Sequence, residues 1–122
     1  MRISPLAALL VLAACGDGGD GAPPTTVTIA NPYHDALLRA RELDRYATIR
    51  AAIARNRQPC DRVLRAAHTG PHANLQQWTV RCESPRGGGY RYGLFLAPDG
   101  QTQVRSCQSM AALKLPACRE DV

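Results

Sequence analysis

A chain of 122 residues with 15 basic and 10 acidic side chains, a net charge of +5 and 45% apolar residues suits one small domain with a modest core. The positive surplus favours anionic neighbours. All but Lys114 of the basic residues are arginine, a bias more typical of overall composition than of a dedicated binding task.

The chain opens with one positive charge, Arg2, and an apolar run from Leu6 to Ala14. A charged start, a short apolar core and small residues before a cut have the layout of a secretory signal. The run is too short to cross a bilayer as a helix, which needs about 20 apolar residues. Leu12-Ala13-Ala14-Cys15 resembles the lipobox of bacterial lipoproteins. The resemblance implies that Cys15 is acylated, that residues 1–14 are removed and that the chain is held to a membrane. Gly16, rather than Asp, after the cysteine is compatible with delivery to the outer membrane, and the expected location is its periplasmic side. Nucleic acid is not an expected partner there. Residues 15–30 then comprise the lipidated cysteine and a tether; its Gly, Asp, Pro and Thr content from Gly16 to Thr28 shows no apolar period. As a flexible coil it reaches roughly 20 Å.

Residues 31–122 form the expected domain. Asn31-Pro32 is a helix start, with Asn as cap and Pro as first helical residue. The helix should run toward Arg41 with Leu37 and Leu38 inward. Leu43, Tyr46, Ile49 and Ile53 share a stripe on a second helix from about Glu42 to Arg57, with Arg50 at the stripe's edge. Leu38 and Leu43 do not share a face, so a break is expected near Arg41. Pro59 ends this helix. A third helix is expected from Pro59 to Ala67, with Val63, Leu64 and Ala67 inward, an Asp61–Arg65 pair and a stop at Gly70-Pro71.

The period then changes to two. Trp78, Val80 and Cys82 alternate with Thr79 and Arg81; after the Arg86–Gly89 loop, Tyr90, Tyr92, Leu94 and Leu96 alternate with Arg91, Gly93 and Phe95. Pro98-Asp99-Gly100 is a turn, Thr102–Ser106 a short strand with Val104 inward, and Met110–Leu113 a single helical turn. The expected fold is α+β: N-terminal helices packed on one face of a three-stranded antiparallel meander, braced by two disulfides.

Cys60, Cys82, Cys107 and Cys118 are an even set in an exported chain, which reads as two bridges of roughly 3 kcal/mol each. Their spacing has no C-x-x-C pair to suit zinc. Strand parity and an antiparallel third helix favour Cys60–Cys82 and Cys107–Cys118 over the two other connectivities.

Trp78-Thr79-Val80-Arg81-Cys82, Phe95 to Gly100, Val104 to Cys107 and Leu115-Pro116-Ala117-Cys118 resemble the landmarks of short cysteine-bridged lipoproteins of Gram-negative α-proteobacteria. The resemblance implies no activity. The size and element order are also similar to the small lipoprotein subunit of the outer-membrane β-barrel assembly machinery, whose tyrosine- and asparagine-bearing motif this chain lacks.

No nucleophile elbow, zinc-protease or phosphate-loop motif occurs, and no catalytic residue, cofactor or metal is assigned. His68 and His72 have an i,i+4 spacing, but Gly70-Pro71 between them prevents a regular helix. His34 sits in a first helical turn and needs no special role. Arg81, Arg91 and Arg105 have outward parity on three strands around Phe95, a candidate binding face for an anionic envelope component or an envelope protein. The leading expectation is a lipid-anchored, non-enzymatic binding or structural module of the cell envelope. The alternatives are a metal-dependent envelope enzyme using His68 and His72, helped by Asp61 or Asn74, and a periplasmic enzyme inhibitor.

Overall fold

A computed structural model describes residues 29–122; the expected signal segment, Cys15 and most of the expected tether lie outside the described residues. Two helices, α1 (Pro32–Arg39) and α2 (Glu42–Arg55), precede four strands: β1 (Arg62–His72), β2 (Leu75–Glu83), β3 (Gly89–Leu96) and β4 (Thr102–Ser106). The strands form an antiparallel meander in the order β1-β2-β3-β4. A short 3-10 turn, Cys107–Ser109, opens the C-terminal segment.

α1 begins as the sequence requires. The Asn31 side chain accepts the His34 N–H at 3.0 Å, and Pro32 follows where no helical N–H partner exists. Ala40 and Arg41 are extended, which breaks the helix where Leu38 and Leu43 fall out of phase. Arg45 stabilises the break: its guanidinium donates to the carbonyls of Leu37 (2.7 Å), Leu38 (3.1 Å) and Ala40 (3.0 Å) at the end of α1. The apolar stripe is narrower than expected. Leu37, Ile49 and Ile53 are buried, whereas Leu38 and Leu43 are 48% and 82% exposed.

α2 ends in a Schellman motif. Gln58 N–H reaches Ile53 O (3.2 Å) and Arg57 N–H reaches Ala54 O (2.9 Å), with Arg57 at φ 59°. A side chain in that left-handed position is strained, so Arg57→Gly is expected to raise stability by about 1 kcal/mol. Equilibrium urea unfolding checks this, and an unchanged or lower midpoint contradicts it.

The expected third helix is corrected: Pro59–Ala67 does not form a helix, and residues 62–72 are the edge strand β1, making four strands rather than three. The apolar spacing of Val63, Leu64 and Ala67 suits either structure over so short a run. The deciding factor is tertiary: β2 presents an unpaired edge directly next in sequence, and a hairpin through Ala73-Asn74 satisfies both backbones. Ala73 takes φ 52° there, a conformation its side chain does not advertise. Two register shifts, at Val63/Arg65 and His68/Gly70, interrupt β1. Pro71 is tolerated because β1 pairs on one side alone. Exposed arginines, Pro71 and the two shifts keep this edge from recruiting another strand.

The core lies between the helices and one sheet face. Leu37, Ile49, Ala52 and Ile53 meet Val63, Trp78, Val80, Cys82, Tyr92, Leu94, Leu96 and Val104. Parity on β2, β3 and β4 is therefore as expected. Both disulfides form as Cys60–Cys82 and Cys107–Cys118. The first pairing is reached by a different route: Cys60 precedes a strand whose Val63 lies opposite Cys82, not a helix.

The second sheet face is not open. Residues from Cys107 to Val122 cross it as an irregular strap, whose backbone polar groups need partners. The face supplies them. Gln77 donates to Pro116 O (3.0 Å), Thr79 accepts the Arg119 N–H (2.9 Å), and Arg91 donates to Val122 O (2.9 Å) and Arg119 O. Met110, 2% exposed, sits over Gly93, where a Cβ would lie against its methyl end.

Candidate functional site

The strap corrects the expected arginine face. Phe95 is 2% exposed, with the His72 ring edge-on at 6.1 Å, and Arg91 is consumed in holding the strap. Arg81 and Arg105 remain exposed. The four residues share a face, as parity requires, but they do not form one free surface.

His68 and His72 are not brought together. The register shift between His68 and Gly70 inserts one residue, and one residue reverses the facing of a strand. His68 therefore points to the helices, with its ring 5.6 Å from Trp78, while His72 faces the strap beside Phe95. A single metal between these two imidazoles does not fit that geometry. Among the described residues no group of three or more His, Cys, Asp and Glu side chains is placed to hold a metal.

His68 meets His34 instead, with ring centroids 4.3 Å apart. His34 is buried, and its Nδ1 accepts the Trp78 indole N–H at 3.0 Å, which leaves the neutral ring's proton on Nε2. His68 Nε2 bonds Gln76 Oε1 at 2.8 Å, and the Arg45 guanidinium lies 5.9 Å from the Trp78 ring centre. Asn31 closes the cluster by donating to Leu96 O at 2.9 Å. The sequence reading missed this role of His34, because a first-turn position does not reveal that the helix end docks on the sheet.

Burial lowers the His34 pKa below its ordinary 6.5, and the nearby His68 lowers it further, against a smaller opposite pull from Asp35. The fold thus favours neutral His34. The unfolded chain takes up the proton first as pH falls through 6.5, so stability is complete above that value and declines below it. Melting temperature against pH checks this: His34→Gln should flatten the decline, and an equally steep decline in that variant contradicts the assignment.

Between the helices and the β3–β4 end of the sheet lies a groove of about 340 Å³. α2 contributes Thr48, Ile49, Ala52 and Arg55, an i, i+1, i+4, i+7 set on one face. α1 and its cap contribute Tyr33, Ala36, Leu37 and Ala40, the sheet contributes Leu94, Leu96 and Thr102, and the β3–β4 turn contributes Gly100. The groove has a physical cause. Ala36, Ala40, Ala52 and Gly100 are too short to fill the wedge between two helices and the β3–β4 turn. Gly100, at φ 88°, lets the Tyr33 ring lie against its backbone, where a Cβ would stand 2.8 Å from the ring. Asn56 ties the groove's lower end, donating to Ala52 O (2.8 Å) and Thr102 Oγ1 (2.9 Å). Floor residues Leu37, Ile49, Leu94 and Leu96 are apolar and buried; the polar groups stand at the rim. Apolar walls with a few convergent polar groups, at the lower end of the ~300–1,000 Å³ range, suit a small-molecule or chain-end site. A second depression, about 580 Å³, lies between Pro59, Tyr90 and the Cys107–Cys118 bridge, and is more polar.

No protein-family model matches the chain, and neither the curated proteins nor the solved structures contain a match.

Proposed function

We propose that this protein is a lipid-anchored module of the cell envelope that binds an anionic envelope component without catalysing a reaction, and that the groove between α1, α2 and the β3–β4 turn is its binding site. The groove carries this reading: it is an apolar concavity among the described residues, in a domain whose sheet is covered on both faces. Two disulfides in so short a chain suit an oxidising compartment, in keeping with export. Acylation at Cys15 would keep the groove within a tether's length of the membrane. Gly16 after Cys15 is compatible with delivery to the outer membrane.

Anchor and site are tested separately. Wild-type protein should incorporate labelled fatty acid, and Cys15→Ser should not; an unlabelled wild type ends the anchor reading. Purified envelope fragments should retain the full chain carrying Cys15→Ser. Adding Ala36→Leu, which fills the groove from its exposed rim, should abolish retention. Adding Arg81→Gln with Arg105→Gln should leave it nearly unchanged. The reverse pattern moves the site to the exposed arginines.

A further inference from the structure

We infer that the groove binds a single-chain amphiphile with an anionic head, a fatty-acid-type carboxylate, its tail against the apolar floor and its head at Arg55. This rests on the groove being the binding site and adds the class of ligand. The walls sort by chemistry. Leu37, Ile49, Leu94 and Leu96 line the floor, and no charged side chain stands among the lining residues except Arg55. Arg55 occupies the last turn of α2 and is exposed. It belongs to neither of the ion pairs found among the described residues, Arg62–Glu83 and Arg119–Asp121. An apolar slot with one uncommitted guanidinium at its end matches a chain that is apolar along its length and negative at one terminus. The Thr102 hydroxyl lies on the same side: its oxygen accepts from Asn56, which leaves its O–H free to donate to a carboxylate oxygen. A wholly apolar ligand would leave Arg55 without a role, and a dianionic head would meet one cation where it needs more.

The test uses the full chain carrying Cys15→Ser, which has no acyl group of its own. Calorimetric titration with laurate and with dodecanol, both below their micellar concentrations, separates tail from head. Laurate should bind saturably at one site and more tightly than dodecanol. Arg55→Gln should weaken laurate about tenfold, which is about 1.4 kcal/mol, and leave dodecanol unchanged. Ala36→Leu should abolish both while the melting temperature holds. Dodecanol binding as well as laurate, with Arg55→Gln without effect, overturns the anionic head and leaves the groove as a site. Absence of both ligands from the wild type, or their undiminished binding to Ala36→Leu, overturns the groove itself.

Discussion

Replacing Cys60 and Cys82 together with alanine is expected to lower stability by about 3 kcal/mol, a large share of the ~5–15 kcal/mol that holds a domain of this kind. The bridge closes a sequence separation of 22 and joins three elements at one corner. Cys82 is wholly buried in the core, and Cys60 stands where α2 has ended and β1 is about to begin. Around it, Arg50 Nε donates to Cys60 O (3.2 Å) and Tyr92 Oη–H donates to Pro59 O (2.7 Å). Both bonds depend on the bridge holding that loop against the sheet. Cys107–Cys118 closes a separation of 11, and the halved loop should make its removal cheaper by about 0.6 kcal/mol in closure entropy alone. Its loss should also loosen the strap and expose Phe95. Urea unfolding of both double variants, with near-ultraviolet dichroism of the native states, gives the ranking. Equal losses would mean that the corner bonds do not depend on the bridge.

Trp78→Ala should cost more than any other single substitution in the core, about 3–5 kcal/mol. Trp78 is 2% exposed and touches both layers, packing under the helices while its indole N–H serves His34. Trp78→Phe separates the two roles. It keeps most of the apolar contact and removes the donor, so a cost of about 1–2 kcal/mol is expected from a buried His34 nitrogen left without its partner. Freed from that bond, Nδ1 can take a proton in the folded state. The loss of stability on acidification below 6.5 should therefore be smaller in Trp78→Phe than in wild type. Thermal unfolding above and below that pH decides it. A Trp78→Phe variant with the wild-type pH dependence would show that burial and the neighbouring His68 hold His34 neutral without the Trp78 bond.

Local chemistry in the sequence determined much of this domain by itself. Asn31-Pro32 begins a helix because its cap and its fixed φ act within one turn. The break before Glu42 falls where the sequence places it, although Leu38 and Leu43, whose phase suggested it, are both exposed. Alternation assigned the helix-facing residues of β2, β3 and β4, because strand facing has a period of two and no competing period fits those runs. The even cysteine count implied two bridges and parity favoured Cys107–Cys118, whereas the expectation of Cys60–Cys82 leaned on a third helix that is in fact strand β1.

Tertiary structure decided the rest. Residues 62–72 satisfy helix and strand patterns about equally, and the neighbouring edge of β2 selects strand. The register shift at His68/Gly70 leaves no mark in composition, yet it sends His68 to His34 and His72 to Phe95. The polar face of Gln77, Thr79 and Arg91 reads as solvated by pattern alone. It is covered because an irregular segment also needs hydrogen-bond partners, and polar side chains provide them. The groove is the least legible feature of all. Ala36, Ala40, Ala52 and Gly100 are separately unremarkable, and only the packing of two helices against one turn places their missing atoms in the same space.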